Sequence, residues 1–576
     1  MPVELSILAS RSRCLGLGLL FVAAVSSAMA QDPPEVVIGE RLFKETRFAQ
    51  AFRAFLDGGH GPNEPMTSGD LVMDTTVTTS APLAGPFAGQ SMNCRACHLV
   101  DEHVGAAGGG MRSYNDFARR SPVPHRTQDT KTAAPRNSPP LVNASLTRAV
   151  GMQLHFDAEF TSLPDLVAGT LTGRNYGWLP TERAQAVQTV ARVIREDDGS
   201  GGLAQEFGAL PYSLTLTGTS PSIPPEYRLP SQYRVNVATA SDDAIFQAIG
   251  KLISIYTEQL VFSTDQNGNF NLSPFDVFLQ LNGLPQQPAG SEARENYSRR
   301  LMTLIAAKVT AGTLQFVTSN PNTSGGDFDF HTQPFVFGPQ ELNGLRIFMR
   351  EPAAAVASPS ELAAGGTGNC IACHSAPLFT DFLFHNTGTT QKEYDAVHFT
   401  GAFNGLSIPA LAARNAAYNS YLPATGTHPN AAEPFRAIPN SAQPGRTDLG
   451  VWNIFANPDI PKPQGNLNLI FCQLAMKEAT PPANVITTCS QTALLPKTIA
   501  TFKTPGLRDL GHSGPYMHTG QFDALDDIVT FYQETSQLAR AGTLRNGARE
   551  LKGIALIGSD TAALVAFLKS LNEDYQ

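Results

Sequence analysis

Charged residues are scarce in this sequence of 576 residues: they make up 16% of the chain, against roughly 25% in typical soluble domains. The balance is acidic, with 41 lysines and arginines against 50 aspartates and glutamates, and no run of basic residues occurs. This excludes a protein that binds nucleic acid through clustered phosphate contacts. After residue 30 no uninterrupted apolar segment reaches the about 18 residues that a membrane span needs, so we expect no membrane span.

Strand patterns are also sparse, and neither a short internal repeat nor a coiled-coil heptad occurs. Hydrophobic residues make up 42% of the sequence, which is enough for packed cores and excludes a disordered chain. The 49 glycines and 42 prolines indicate much irregular backbone. A chain of this length accommodates two or more domains. We therefore predict a mainly α fold with long loops and few strands.

Helical patterns are predicted over 38–52, 241–260, 339–349, 525–535 and 561–571. The second of these is the clearest. Ser241 can cap it, and Asp242 and Asp243 suit the first turn of a helix. Its apolar residues recur at the helical period, at Ile245, Ile249, Leu252, Tyr256 and Leu260. By contrast, the segments 209–232 and 322–329 are rich in turn-forming residues and are predicted to be surface loops.

The first thirty residues have the pattern of a secretory signal peptide. Arg11 and Arg13 precede an apolar run over Leu15–Val25, and Ala28 and Ala30 form a small-x-small cleavage site. Eleven apolar residues are too few to span a bilayer. We expect cleavage after Ala30 and a mature protein in the periplasm.

Cysteine is rare, and its spacing determines the class of protein. There are seven cysteines, of which Cys14 leaves with the signal peptide. Cys472 and Cys489 flank a segment rich in proline and asparagine, and in an oxidising compartment they are expected to form a disulfide. Two free buried thiols are the alternative.

The other four cysteines belong to two C-x-x-C-H motifs, the attachment pattern of c-type haem. These are Cys94-Arg95-Ala96-Cys97-His98 and Cys370-Ile371-Ala372-Cys373-His374. Two thiols at this spacing can add to the two vinyl groups of one porphyrin, and the adjacent histidine then reaches the iron as its proximal ligand. A redox-active cysteine pair needs no following histidine, and a zinc site needs further ligands nearby. The sequence thus predicts a cytochrome with two covalently bound haem c groups.

Several blocks beyond the haem motifs resemble the bacterial di-haem cytochrome c peroxidase and MauG superfamily. The block Arg136-Asn137-Ser138-Pro139-Pro140-Leu141-Val142-Asn143 is similar to the family's R-N-[ST]-P-x-x-x-N segment. The second haem motif continues into Ser375-Ala376-Pro377-Leu378-Phe379-Thr380-Asp381 and Phe384-His385-Asn386-Thr387-Gly388, which match the family closely. The C-terminal blocks Phe502-Lys503-Thr504-Pro505-Gly506-Leu507-Arg508 and Pro515-Tyr516-Met517-His518-Thr519-Gly520 match as well.

This resemblance implies that hydrogen peroxide reacts at the N-terminal haem and that the C-terminal haem receives or stores electrons. It also implies a calcium ion between the haems, carried over here to Asn137 and the carbonyls of Ser513 and Pro515. A small electron-donor protein, a cytochrome c or a cupredoxin, is the implied partner. A homodimer is left open as the assembly.

The resemblance also gives a candidate for the sixth ligand of the second haem. Fourteen residues after the Pro-Tyr-x-His histidine, the peroxidases have methionine and MauG has tyrosine. In this sequence the position is Tyr532. Phenolate ligation stabilises ferric iron, whereas a thioether raises the potential. The alternative is a core residue, because Tyr532 shares a helical face with Leu525, Ile528 and Val529.

Two departures from the family concern catalysis. The inter-haem tryptophan is replaced by Phe156, which is much harder to oxidise. The distal glutamate that helps to cleave the O–O bond aligns near Tyr176, and no glutamate lies within reach on either side. His155 and Tyr176 are the remaining candidates for this catalytic role.

Other histidines also have candidate roles. His103 or His125 could occupy the distal side of the first haem in a resting state. His385 and His518 match family motifs, and we expect them to bond haem propionates or backbone, with a buried structural histidine as the alternative.

We expect two cytochrome c-like haem domains. The first, over 31–338, carries insertions near 190–240 and 285–335, and the second covers 339–576. The predicted function is a periplasmic oxidoreductase that reduces hydrogen peroxide at the N-terminal haem. A MauG-like oxidase of a protein or organic substrate, and an electron carrier without catalytic activity, are the alternatives.

Overall fold

The structure is a computed structural model. It describes residues 32–66, 75–77, 82–84, 91–94, 97–99, 112–113, 120–146, 151–329, 331–478 and 489–574. The predicted signal peptide and His103 lie outside these ranges.

Helices between residues 34 and 259 enclose a first apolar core. These are α1 (Pro34–Lys44), α2 (Gln50–Asp57), α3 (Leu163–Leu171), α4 (Arg183–Glu196), α5 (Gly202–Glu206), α6 (Tyr212–Thr217) and α7 (Asp242–Gln259). Helix α7 starts where the sequence predicts, because the Ser241 side chain accepts the Ala244 N–H at 3.2 Å. Its residues Ile245 and Ile249 are fully buried, which confirms the predicted apolar face.

A second core combines residues from Phe275 to Leu571. The helices in this part of the chain are α8 (Pro274–Leu281), α9 (Arg294–Thr310), α10 (Pro339–Met349), α11 (Pro359–Ala364), α17 (Leu525–Ala541) and α18 (Thr561–Lys569). Helices α8 and α9 precede the domain boundary predicted at 338, yet Phe278 and Leu301 lie in this second core. The division of the chain into two haem domains remains a prediction.

A third core, which the sequence did not indicate, lies between Phe384 and Ala500 and also includes Ala158. Its helices are α12 (Thr389–Val397), α13 (Leu411–Ala416), α14 (Tyr418–Tyr421), α15 (Gln464–Glu478) and α16 (Gln491–Leu494). Trp452 is fully buried at its centre. The predicted disulfide between Cys472, on α15, and Cys489 is present, with Cα atoms 4.9 Å apart.

The described strands form three antiparallel pairs of two or three residues each. They are β1 (Thr75–Val77) with β2 (Pro82–Ala84), β3 (His98–Leu99) with β4 (Arg112–Ser113), and β5 (Phe384–His385) with β6 (Phe502–Lys503). The prediction of a mainly α fold with few strands is confirmed. No helix in the described ranges is both long and apolar enough to cross a bilayer.

Two expectations about local structure are wrong. The segment 38–52 is two helices rather than one, because the backbone becomes extended at Glu45, whose buried carboxylate bonds Arg47 at 2.7 Å. The segment 209–232 is not only a surface connection. It contains α6 and buries Tyr212 and Leu216 completely, because apolar residues among its turn formers face the first core.

Helix α10, which leads into the second haem motif, crosses α18 at Gly344. A Cβ at this position would lie 1.9 Å from the Ala563 carbonyl oxygen, so only glycine allows this approach. The crossing positions the motif, because the Gly368 N–H donates to the Ile347 carbonyl at the end of α10 at 2.8 Å.

We predict that Gly344→Ala destabilises the protein by about 1–3 kcal/mol, because the added methyl overpacks the crossing. Helix propensity alone would favour alanine by up to about 1 kcal/mol, so the clash decides the sign. The free energy of unfolding in denaturant measures the effect. Gly201→Ala, where nothing lies within 4 Å of the new methyl, is the matched control, and equal stability of the two variants would contradict the prediction.

Two candidate haem sites

The two cysteines of the first C-x-x-C-H motif lie against the first core. The Cys97 N–H donates to the Cys94 carbonyl at 3.1 Å, and both side chains pack against this core. Burial raises the pKa of the Cys94 thiol to about 11 and that of Cys97 to about 12. Both sulfurs are therefore uncharged thiols at neutral pH. Two thiols held at this spacing can add to the two vinyl groups of one porphyrin.

The histidine of the first motif, His98, is a neutral imidazole, because burial lowers its pKa to about 4. A neutral ring offers a nitrogen lone pair to a metal. Two buried thiols and a neutral imidazole within five residues fit the attachment of a haem at this site.

The second motif has the same arrangement. The His374 N–H donates to the Cys370 carbonyl at 2.7 Å, and burial raises the pKa of Cys370 to about 12 and lowers that of His374. The His374 Nδ1 atom lies 2.8 Å from the Phe379 carbonyl oxygen. When Nδ1–H donates to this carbonyl, Nε2 is left to bind iron, as in most metal-ligating histidines. The residues of this motif therefore also fit a haem.

A cation lies beside the second motif. His385 Nε2 is 2.7 Å from Asp381 Oδ2. Burial alone would lower the pKa of His385, but Cys373 and Asp381 raise it well above its ordinary value. The neighbouring cleft is lined by the cationic Lys477, Lys497 and Arg549 and by His385, together with the carboxylates of Asp381 and Glu550. This positive charge suits the propionates of a haem, as expected for His385.

The structure brings the two catalytic candidates near the first motif in different ways. Tyr176 is buried, and its hydroxyl lies 3.1 Å from the Cys94 sulfur. Burial raises the pKa of Tyr176 well above its ordinary value, so the hydroxyl keeps its proton. His155 is partly exposed and lies 3.1 Å from Glu159 Oε2 through Nδ1. The two candidates do not contact each other. His125, the described candidate for a distal ligand, is exposed.

Of the three predicted calcium ligands, Asn137 and Pro515 are in direct contact. The Asn137 Nδ2 amide donates to the Pro515 carbonyl at 2.7 Å, which brings together two positions 378 residues apart. The Asn137 Oδ1 atom accepts the Ser138 N–H at 3.0 Å. Ser513 lies in the same turn as Pro515, at the end of a 3₁₀ helix. Carbonyl and amide oxygens are ligands that calcium prefers, and calcium at this place stays a prediction.

Aromatic rings cluster beside strand β6. His518 stacks on Phe502 with ring centroids 3.6 Å apart, and Phe156 lies 6.4 Å from His518. Phe502 on β6 pairs with His385 on β5, and the Asn137 N–H donates to the His518 carbonyl at 2.7 Å. His518 stays neutral, because burial lowers its pKa to about 3. Its Nε2 atom has no hydrogen-bond partner within the described ranges, so the expected side-chain bond stays a prediction, and the sequence did not indicate the stacking on Phe502.

Sequence reasoning also missed a buried ion network. Arg136 donates to Asp448 from Nε at 2.6 Å and from Nη2 at 3.0 Å, and to Asp157 from Nη1 at 2.6 Å. All three residues are at most 8% exposed. The network joins the Arg136 block to the third core. It fixes Arg136, which precedes Asn137, and Asp157, which follows Phe156. Buried ions are stable in pairs. The signal for the network in the sequence was therefore Arg136 itself, a charged residue in a block whose other residues are uncharged.

Tyr532 lies on α17 and packs against a small apolar cluster around Leu551 and Ile554. Burial raises its pKa, and the nearby Cys373 and Cys370 thiols raise it further. The tyrosine thus lies near the cysteines of the second motif. Its role as a ligand stays a prediction.

No family model matches the chain. Over 77 residues, which are 13% of this chain and 19% of the relative, it is 39% identical to the cytochrome-c peroxidase IdrP1 of Denitromonas iodatirespirans. Over 207 residues, 36% of this chain and 37% of the relative, it is 27% identical to the cytochrome-c peroxidase IdrP2 of the same organism. The chain thus spans between a fifth and two fifths of the length of these relatives. Over these segments the expected resemblance to cytochrome c peroxidases is confirmed.

Among solved structures, the diheme peroxidase BthA from Burkholderia thailandensis E264 is 15% identical with a TM-score of 0.38, and the match covers 94% of this chain and 86% of that one. A MauG-like protein associated with microbial copper homeostasis is 13% identical with a TM-score of 0.39, over 94% of this chain and 90% of that one. No conclusion about function follows from likeness at this level.

Proposed function

We propose that this chain is a periplasmic di-haem c-type cytochrome that reduces hydrogen peroxide at the haem of the first motif. Electrons come from a small cytochrome c or cupredoxin and pass through the haem of the second motif. The observation that carries the proposal is the pair of C-x-x-C-H motifs, each with buried neutral thiols and a neutral histidine. The similarity to cytochrome-c peroxidases supports the choice of hydrogen peroxide as substrate.

The protein's own residues have distinct roles in this proposal. A c-type haem supplies an iron that exchanges electrons with peroxide. Cys94 and Cys97 would anchor it by thioether bonds, and His98 would bind its iron. At the second site the Phe379 carbonyl fixes the ring orientation of His374. The turn around Asn137 and Pro515 holds the two sites against each other, with calcium as its proposed ligand.

Proton delivery at the first site is assigned to Tyr176, since no glutamate aligns at the family's distal position. Its buried hydroxyl remains protonated and can donate a hydrogen bond or a proton. A positioned acid or base contributes roughly 10²–10⁴-fold to a rate. A phenol is a weaker acid than a carboxylic acid, so we expect turnover below that of peroxidases with the glutamate. His155, bonded to Glu159, is the second candidate.

We predict that Tyr176→Phe lowers kcat/KM for hydrogen peroxide by about 10²-fold, because the general acid is removed. Steady-state peroxide consumption with a reduced cytochrome c as donor measures the effect. Tyr418→Phe removes a buried hydroxyl in the third core, bonded at 3.2 Å to the Pro423 carbonyl, and is the matched control. Unchanged kcat/KM in Tyr176→Phe would transfer the role to His155, for which His155→Gln is the test.

Tyr532 favours a second candidate function, a MauG-like oxidase of a protein or organic substrate. A phenolate ligand on the second iron stabilises oxidised states, which suits a protein that holds oxidising equivalents. The position of Tyr532 beside the thiols of the second motif supports this ligation. Phe156 counts against it, because phenylalanine does not relay holes as tryptophan does.

We predict that Tyr532→Met raises the midpoint potential of one of the two haems by on the order of 100 mV, because axial ligands tune haem potentials over several hundred millivolts. A redox titration followed optically measures both potentials. Tyr516→Phe, a change at another tyrosine of the C-terminal blocks, is the control. Two unchanged potentials would show that Tyr532 is a core residue and would remove the argument for the second candidate.

A further inference from the structure

Two histidines and an aspartate meet in a cluster that the haem sites do not use. His331 Nε2 lies 3.0 Å from Asp509 Oδ1, and His512 Nδ1 lies 2.9 Å from Asp509 Oδ2. The two imidazole rings stack with centroids 3.9 Å apart. One ligand atom from each of the three residues lies within 4.8 Å of the others. The chain thus presents two nitrogens and a carboxylate around one point.

The cluster is buried and its close packing depends on a glycine. The side chains of His331 and His512 are each 6% exposed. Gly511 lies directly under the His331 ring, where a Cβ would approach the ring carbon Cε1 to 2.7 Å. The Glu573 carbonyl oxygen lies 3.2 Å from His331 Nε2 and adds a fourth oxygen or nitrogen donor. A closed set of three or four such donors is typical of structural metal sites.

The charges around the cluster also favour a cation. Glu573 provides a second carboxyl beside that of Asp509, and it is fully buried. Its Oε2 atom has no hydrogen-bond partner within the described ranges. Asp574 is a third carboxyl close to His331, bonded at 2.8 Å by the Asp329 N–H. Of the nearby cations, Arg508 is already paired with Asp276 at 2.9 Å. Asp509 and Asp574 supply negative charge that a divalent ion would neutralise.

We propose that His331, Asp509 and His512 bind a divalent first-row transition metal ion, for which zinc is the probe. Imidazole nitrogen and carboxylate oxygen are ligands that zinc accepts in structural sites. The ion takes the place between Asp509 and the two histidines and replaces the two hydrogen bonds that now join them. The site joins the loop before α10, which carries His331, to the segment that carries Asp509 and His512. The residues around Glu573 lie against the same site. It is independent of the proposed peroxidase activity.

The test is zinc content of the haem-loaded protein, measured by plasma mass spectrometry after chelation and reloading with one equivalent of zinc. We expect one zinc per chain in the wild type and loss of at least nine-tenths of it in His331→Gln and in His512→Gln. His428→Gln is the matched control, because His428 bonds the single carboxylate of Asp459 at 2.7 Å. Zinc retained by both cluster variants, or none bound by the folded wild type, would overturn the proposal.

A second measurement needs no variant and covers the case in which the cluster variants do not fold. X-ray absorption at the zinc edge of the reloaded wild type reports the ligand atoms. We expect two imidazoles with oxygen ligands and no sulfur. A shell that contains sulfur, or one without imidazole, would place the zinc elsewhere and overturn the proposal. Because zinc and haem iron are measured separately, failure here leaves the proposed peroxidase function untouched.

Discussion

The double substitution Cys94→Ala, Cys97→Ala reduces covalently bound haem from two per chain to one and abolishes peroxide turnover. The expected loss follows from the first motif, whose buried thiols are the only attachment points for that haem in our proposal. Pyridine haemochrome spectra and the mass of the denatured chain count the haems. Peroxide consumption with a reduced cytochrome c measures turnover.

The matched variant Cys370→Ala, Cys373→Ala also leaves one haem, but its expected behaviour differs. The remaining haem of the first motif still changes its absorption when peroxide is added. Turnover with a protein donor is lost, because the second haem no longer passes electrons. If the first double variant kept its turnover, peroxide would react at the second site, and the assignment of the two haems would be reversed.

Arg136→Leu is expected to destabilise the protein by about 3–5 kcal/mol, because it leaves Asp448 as a buried charge without its cation and leaves Asp157 with only the more distant Arg436, at 3.9 Å. The free energy of unfolding in denaturant gives the size of the effect. Arg192→Leu is the control, since Arg192 pairs with Glu196 on the exposed face of α4 at 3.2 Å and should change stability by no more than about 0.5 kcal/mol. Similar values for the two variants would contradict a structural role of the network.

The same network predicts a pH dependence. Although burial alone would raise the pKa of Asp448, the charge and hydrogen bonds of Arg136 hold it below its ordinary value. A carboxyl with a lowered pKa stabilises the fold fully above its unfolded pKa, near 4, and this stabilisation is lost as the pH falls through the folded pKa. Between pH 7 and pH 3 the wild type should therefore lose more stability than Arg136→Leu. Parallel curves for the two proteins would contradict this.

Much of the fold could be predicted from local patterns. Helix α7 has a capping serine, an acidic first turn and apolar residues at the helical period, so every local signal agrees. Helix α10 has the predicted bounds, Pro339–Met349, because proline favours its first position. The haem motifs are equally local, since their chemistry is contained in five consecutive residues.

The rest depends on contacts between distant parts of the chain. The ion network joins Arg136 to Asp448 across 312 residues, and no local pattern indicates which carboxylate an arginine will meet. The break after α1 arises because Glu45 bonds Arg47 and Tyr212, at 2.7 and 3.0 Å, rather than continuing the helix. The third core is assembled around Trp452 from short helices and turns. Each of these segments has only a weak apolar periodicity.

In the candidate site, too, local features could be predicted from the sequence and contacts between distant residues could not. The sequence predicts the attachment cysteines, both proximal histidines and a role for Tyr176, and the structure places Tyr176 against Cys94. It did not indicate the stacking of His518 on Phe502 or the pairing of His385 with Asp381. The stacking depends on how the turn around His518 meets β6, which residue spacing does not reveal, whereas His385 and Asp381 are only four residues apart.

The central claim, that the first motif holds a haem with an iron that reacts with peroxide, is tested most directly by one spectrum. The optical spectrum of the purified ferric protein is recorded before and after one equivalent of hydrogen peroxide. Our account predicts two haems per chain and a high-spin signal that changes rapidly on addition of peroxide. Two low-spin haems that do not respond, even after half-reduction, would contradict it and leave an electron carrier without catalytic activity.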